Sequence, residues 1–274
     1  MYALLRHCFR AVLVVVGIIV VTSISIDATD TFRNSQSALG IFATRLVTPT
    51  CPVGTVPLQQ ETGILCIDLY EAAVGTNCGI AEPHSITDTA DNYNDADCGV
   101  VTIVESLPWR FVTVNQARAL CARSGKRLPT PAEWYAAALG TPDGENNCNL
   151  VGTLGRTGDK PDCRSGVGVY DMIGNVWEYT DGTVRDGYSA AGKLPAAGYV
   201  SGISSWDGWV STTTTTPQVQ YNRDYFWSEE QGDYSILRGG FYGSGTDGGL
   251  YSMHSGTNQE FGSAAVGFRC VRSL

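Results

Sequence analysis

Histidine is scarce, with three in 274 residues, and no Cys-x-x-Cys pair occurs anywhere in the chain. Zinc is thereby left without its usual ligand sets. Basic residues are also few. The 18 Lys and Arg face 27 Asp and Glu, a net charge of −9, and a surface of that sign does not track phosphates, which argues against nucleic acid as a partner. Disorder is excluded too, because 43% of the residues are hydrophobic and 32 are glycine. That is the make-up of a globular fold rich in turns.

Cysteine, by contrast, is abundant. Of nine, Cys8 lies ahead of an apolar run and eight lie beyond it. An even number past a hydrophobic leader points to an oxidising compartment and up to four disulfides, with free thiols as the alternative. The leader itself is Ala11 to Ile26, AVLVVVGIIVVTSISI, preceded by Arg6, His7 and Arg10. It carries no charge but falls short of the ~20 residues that cross a bilayer untilted. Two readings remain: a secretory signal, cleaved weakly near Ile26-Asp27-Ala28, or an uncleaved membrane anchor. The basic residues put the N-terminus in the cytoplasm and the rest of the chain outside. Residues 1–28 are accordingly read as signal or N-terminal membrane anchor, and the favoured reading is export with retention. Residues 29–50 are read as a stalk, and the Pro-containing segment around Thr48 to Gly54 opens a domain over 51–274.

Within that domain the pattern is one of short elements. Cys51 to Cys66 brackets a strand-turn-strand pattern, and Leu65 to Glu71 alternates as a strand does. The acidic stretch 79–100, flanked by Cys78 and Cys98, reads as a stapled excursion. Val112 to Ser124 reads as a helix capped by Thr113 or Asn115, with Ala117, Ala119, Leu120 and Cys121 on one side. A second helix starts at Thr130, with Pro131 at its first position and Glu133 completing a capping box, and runs to about Leu139. Cys148 and Cys163 enclose a Gly/Asp/Asn loop. Residues 181–235 are aromatic and Thr-rich, with little regular pattern, and such a loop in a compact domain is functional or stapled down. Proximity in sequence favours the bridges Cys51–Cys66, Cys78–Cys98 and Cys148–Cys163, because short loops close at the least entropic cost.

The C-terminal stretch Ile236–Val271 has a different character. Leu237-Arg-Gly-Gly opens it and Val266-Gly-Phe-Arg-Cys-Val closes it, while Gly, Ser, Thr, Asp, Tyr and His fill the middle. Fixed ends around a polar, aromatic-dotted centre are how binding loops are mounted on a scaffold; a plain glycine-rich connector is the alternative. The expected face comprises Tyr242, Ser244, Thr246, Asp247, Tyr251, Ser252, His254 and Asn258, since Tyr supplies contact area at low entropic cost and Ser, Thr and Asn supply adaptable hydrogen bonds. Leu237, Leu250, Val266 and Phe268 are expected beneath it.

Four motifs occur in order: Arg127-Leu-Pro-Thr-Pro-Ala-Glu-Trp, Gly168-Val-Tyr-Asp-Met-Ile-Gly-Asn-Val-Trp-Glu-Tyr, Leu237-Arg-Gly-Gly and Gly267-Phe-Arg-Cys. Together they resemble the sulfatase-modifying-factor domain, the family of the formylglycine-generating enzyme. The resemblance implies an irregular α+β domain of the C-type lectin-like fold, with two helices on small antiparallel sheets. It also implies a disulfide between Cys121 and Cys270, and Trp134 and Trp177 as core anchors. A structural calcium (Ca2+) is implied at Gly174, Asn175, Val176 and Glu178, with a second near Asn149, Leu150 and Asp159. Oxygen donors of these kinds suit that ion.

The catalytic cysteines of the active enzyme are not matched: Ser244 and Gly249 stand at those positions, and residues 241–269 contain no cysteine. Copper(I) requires soft thiolates, which neither residue supplies. The segment before residue 51 is also too short for the histidine-bearing helical domain of a related oxygenase branch. The stretch from Leu237 to Cys270 is similar, further, to the C-terminal variable region of proteins diversified by retroelements. Adenine mutagenesis at Asn codons there never yields Lys, Glu, Gln, Met or Trp, and between Phe241 and Val266 only Met253, Gln259 and Glu260 belong to that set. The usual Gly-Gly-Ser-Trp opening is altered to Gly239-Gly240-Phe241-Tyr242. Three functions follow as expectations. The first is an exported, membrane-anchored protein binding a protein or glycan ligand through its C-terminal surface. The others are an oxidoreductase acting on sulfatase cysteines and an envelope structural protein.

Overall fold

The first two strands described form a hairpin, paired from Thr55↔Asp68 to Gln60↔Gly63. Strand β1, Thr55–Gln60, pairs antiparallel with β2, Gly63–Asp68, and the Cys51–Cys66 bridge staples the hairpin. The computed structural model describes residues 50–61 and 63–274, so the apolar run and the stalk lie outside the described residues. Residues 51–274 form one unit.

The acidic excursion is bracketed by β3, Ala73–Val74, and β4, Val100–Val101, and closed by Cys78–Cys98. It contains a helix that the two-helix expectation omits: α1, Ile86–Asn94, raises the count to three among the described residues. Apolar periodicity could not reveal it, because its buried residues are the polar Thr89 and Asn92. Hydrogen bonds hold it instead. Ser85 Oγ accepts from Asp88 N (3.1 Å), the Asn92 side chain bonds Ile80 N and O (2.9 and 2.7 Å), and Trp109 Nε1 donates to Thr89 Oγ1 (3.2 Å).

Helices α2, Val114–Arg123, and α3, Pro131–Ala138, both begin at capping boxes, on Thr113 with Gln116 and on Thr130 with Glu133. In each, the cap hydroxyl and the third side chain satisfy backbone N–H groups that the first turn leaves unpaired. Arg127 braces the second box with a two-pronged bond to Glu133, 2.6 Å on each arm.

The stretch 181–235 is not the irregular loop expected; it builds most of the main sheet. Strands β5 (Trp177–Arg185), β6 (Tyr188–Ser189), β7 (Gly192–Lys193), β8 (Gly198–Ile203), β9 (Val210–Thr214), β10 (Tyr225–Ser228) and β11 (Asp233–Arg238) lie within or across it. With β12, Met253–Thr257, the order is β7-β6-β5-β11-β12-β10-β8-β9, and β13, Val266–Phe268, pairs parallel to β5. Two of these strands, β6 and β7, span only two residues and others are interrupted by register shifts, which erases the alternation by which strands are read. The last strand, β14, Val271–Ser273, pairs with β2, so both ends of the domain meet in one three-stranded sheet.

Beneath the site lies a charged pair without access to solvent. Arg269 and Glu178 are 0% and 1% exposed. Arg269 Nε lies 2.9 and 2.7 Å from the two Glu178 oxygens, its Nη2 lies 2.6 Å from Oε1, and Trp134 Nε1 donates to Oε2 at 2.7 Å. The guanidinium's other N–H groups reach Asp68 O and Tyr170 O. Trp134 and Trp177 are core residues, as are Leu237, Leu250, Val266 and Phe268. The remaining cysteines join Cys121 to Cys270 and Cys148 to Cys163, and four disulfides suit an oxidising compartment.

Candidate functional site

The C-terminal loop leaves β11 through Gly239 and Gly240, whose φ angles of 91° and 85° only glycine adopts without strain. A Cβ at Gly239 would stand 2.6 Å from Met172 O, and one at Gly240 would stand 2.9 Å from Gly248 Cα. The chain therefore turns against the core at this point. Ser244 fixes the next turn, its Oγ accepting from Phe241 N at 2.9 Å. A single 3-10 turn, Gly245–Asp247, carries Thr246 outward.

Of the eight expected face residues, Thr246 and Asn258 are exposed, while Tyr242, Ser244, Asp247, Tyr251 and His254 are half-buried. Ser252 is a correction. It is 0% exposed, with its hydroxyl donating to Gly249 O (2.8 Å) and accepting from Gly249 N (3.0 Å). A short polar side chain that satisfies its own backbone is turn chemistry. Tyr251 and His254 lean on separate aromatic groups. The Tyr251 ring centroid lies 5.5 Å from that of Tyr221 and 6.4 Å from that of Tyr135. His254 stacks on Trp227 at 5.8 Å and meets Trp177 edge-on at 5.9 Å.

Burial pushes the His254 imidazole down to about 4. Its unfolded value is ~6.5, so the ring is neutral in the fold, and the stability this confers is complete above about 6.5 and lost as pH falls towards 4. Melting followed between those pH values is expected to show His254→Phe, which keeps the stacked ring, losing on the order of 2–3 kcal/mol less stability than the parent. Equal losses in the two proteins would rule the assignment out.

Two acidic residues that sequence reasoning missed flank the same loop. Asp143 Oδ2 accepts from Leu250 N (3.0 Å) and Asn222 Nδ2 (2.8 Å), and Asp224 Oδ2 accepts from Tyr251 N (2.6 Å). Gly249 lies against both. A Cβ there would stand 2.3 Å from Asp224 Oδ1 and 2.5 Å from Asp143 Oδ2. Burial, then the neighbouring Asp143 carboxylate, pushes the Asp224 carboxyl well above the usual range, and burial raises Asp143 also. Beside them opens a cleft of about 270 Å3, lined in part by Asp143, Glu145, Asn222, Arg223 and Thr246. Asp143 and Asp224 lie far apart in sequence, one in the segment after α3 and one in the 181–235 stretch, and no spacing signals that they meet.

Residues 70–274 match the sulfatase-modifying factor enzyme 1-like domain. The chain belongs to that family. It is 37% identical over 96 residues to the inactive C-alpha-formylglycine-generating enzyme 2 of Bos taurus, covering 27% of this chain and 32% of that protein. It is 37% identical over 97 residues to the formylglycine-generating enzyme of Thermomonospora curvata, covering 26% and 32%. The matches thus span about a third of these relatives' length. Among solved structures, the Major Tropism Determinant I1 variant aligns with a TM-score of 0.45 and 19% identity over 81% of this chain and 53% of that one.

The family's calcium set can be tested on these side chains. Glu178 does not fit it, because Arg269 and Trp134 occupy both carboxylate oxygens. Asn175, in the left-handed region with φ 56°, turns its Oδ1 to Gly155 N (2.9 Å) and Asn149 Nδ2 (3.0 Å), and its Nδ2 donates to Glu71 Oε2 (2.7 Å). The four residues Gly174, Asn175, Val176 and Glu178 therefore do not present a common set of free oxygens. The second set lies on a cavity of about 370 Å3 whose wall includes Asn149, Asp159, Asp171 and Asn175. There Asp159 Oδ2 already accepts from Arg156 N (2.7 Å), Asp171 Oδ2 accepts from Gly158 N (2.7 Å), and Glu71 Oε1 is buried without a partner. The same wall carries the cationic Arg156 and Lys160, while Glu71 lies behind it, bonded to Asn175, so carboxylate and basic side chains share this cavity.

Proposed function

We propose that this family member is a ligand-binding protein held outside the cytoplasm, its N-terminal apolar segment serving as a membrane anchor, and that its site is the surface of residues 241–258 with the cleft beside it. The observation that carries this reading is the state of position 249. Any side chain there collides with Asp143 and Asp224, and Ser244, at the other catalytic position, is spent on closing a turn. Neither Ser244 nor Gly249 supplies a thiolate, and a side chain at 249 would first have to displace the Asp143 and Asp224 carboxylates, so cysteine oxidation by copper has no ligands there. What the loop offers instead is Tyr242, Thr246, Asp247, Tyr251 and Asn258 at least partly open to solvent. Rigid aromatic area with adaptable polar groups is the composition of a recognition surface. The ligand class is a protein or a glycan, and a structural hard cation near Asn149 and Asp159 belongs to the same proposal.

Two measurements test it on the full chain. Copper(I) titration and an assay with a sulfatase cysteine peptide are expected to show neither binding nor oxidation, and Gly249→Cys is expected to lower the melting temperature without creating a copper site. For recognition, a glycan array and a surface-displayed peptide library serve as probes. The combined substitution of Tyr242→Ser, Thr246→Ala and Asn258→Ala is expected to leave melting unchanged and abolish the hits. Retained hits would move the site elsewhere, and turnover of the cysteine peptide would make the protein an oxidase.

A further inference from the structure

The turn between β8 and β9 presents a tryptophan that neither the core nor the loop surface uses. Trp206 is 79% exposed, against 56% for Tyr188 and 37% for Phe261. The turn that carries it is pinned from several sides. Ser204 N bonds Trp209 O at 2.8 Å, Asp207 Oδ1 accepts from Trp209 N at 3.2 Å, and the buried Arg238 donates to Gly208 O at 3.1 Å. Gly208, with φ 66°, lies against Tyr135, where a Cβ would stand 2.3 Å from the ring. The indole is therefore held out to solvent on a fixed mount. Beside it opens a cavity of about 370 Å3, lined by Pro131, Ala132, Gly182, Ala190, Ala191 and Trp209, most of them too small to fill the space. Thr130, Asp181 and Thr183 add two hydroxyls and a carboxylate to its wall. Little free charge remains there. Asp181 Oδ1 is bonded to Arg118 Nε at 2.9 Å, and Asp207 is turned to the backbone above Arg238. A cationic ligand would compete with arginines already in place, and an anionic one would meet two carboxylates.

We propose that Trp206 and this cavity bind a neutral pyranose unit of a glycan. One face of such a ring carries C–H groups and stacks on an indole, while the hydroxyls at its rim both donate and accept. Here Trp206 offers the stacking face, and Asp181 with the two threonines offers the hydrogen-bond partners. A mostly apolar wall with a few placed polar groups is what small-ligand sites share. The site has no residue in common with the 241–258 surface, so it stands whether or not that surface binds a ligand. One stacked ring with a few hydrogen bonds gives a dissociation constant on the order of 1 mM. Binding of that strength is washed from an array but registers at equilibrium, so the two sites are read by different measurements.

The test titrates methyl glycosides of glucose, galactose, mannose and N-acetylglucosamine into the full chain, followed by saturation-transfer NMR and indole emission. At least one is expected to bind near that strength, with the protons of one ring face closest to the protein. Trp206→Ala is expected to weaken it by about tenfold or more while melting stays unchanged, and Trp206→Tyr, which keeps an aromatic face, to retain most of it. Ala191→Leu, which fills the cavity from an exposed turn, is expected to block binding with the indole intact. The loop variant carrying Tyr242→Ser, Thr246→Ala and Asn258→Ala is expected to bind as the parent does. No binding of any of these glycosides well above millimolar concentration overturns the proposal, as does binding unchanged in both Trp206→Ala and Ala191→Leu. Binding lost only in the loop variant also overturns it, by assigning the sugar to the loop. A response to N-acetyl-lysinamide and to none of the glycosides does the same, by making the cavity a cation site.

Discussion

Glu178→Ala is expected to cost about 3–5 kcal/mol of folding stability, the loss seen when one partner of a buried ion pair is removed. The reason lies in what is left behind. Arg269 is 0% exposed, and its Nε and Nη2 both point at the Glu178 carboxylate, so alanine strands a guanidinium in the core. Trp134 Nε1 loses its acceptor in the same step. Against a total stability of 5–15 kcal/mol for a typical domain, such a loss is close to unfolding. Denaturant midpoints of the parent and of Glu178→Ala measure it, and Glu178→Met with Arg269→Met should recover part of the loss by removing the stranded charge. A single-mutant cost below about 1 kcal/mol would show that Arg269 finds water or another acceptor.

The second large effect belongs to Cys121–Cys270. Its residues lie 149 apart in sequence, against 15 for Cys148–Cys163. In the chain-entropy account, closing the longer loop contributes about 4–5 kcal/mol and the shorter about 3. The long bridge also ties the segment between β13 and β14 to α2, so its removal should free the loop's far end as well as destabilise the fold. Chemical denaturation of Cys121→Ala with Cys270→Ala, compared with Cys148→Ala and Cys163→Ala, ranks the two. If the short bridge matters more, native-state strain or residual structure in the unfolded chain outweighs loop closure.

Both effects bear on the loop of residues 241–258. A recognition surface of the kind proposed needs a frame whose stability does not depend on its exposed side chains. Here the frame is covalent at Cys270, ionic at Glu178 and Arg269, and steric at Gly239 and Gly240. The side chains most open on the loop, Thr246 and Asn258, are joined to none of these. The half-buried His254 is different, because its ring belongs to the Trp177–Trp227 stack and acidification reaches the fold through it.

What the chain determined by itself is what neighbours in sequence decide. Thr113 and Thr130 cap helices because their hydroxyls meet an N–H three residues on, and Cys148 meets Cys163 because a short loop closes at little entropic cost. The ordered motifs carried the family and with it the long bridge. Tertiary structure alone decided the rest, for stated physical reasons. Helix α1 is held by polar side chains reaching other segments, so it has no apolar stripe to read. The 181–235 stretch gains its strands from partners across the sheet, in pairs too short to show alternation. Glu178 reads as a turn ligand until Arg269, 91 residues on, takes its oxygens. Asp143 and Asp224 become a pair only because Gly249, having no side chain, lets two distant segments close on one point.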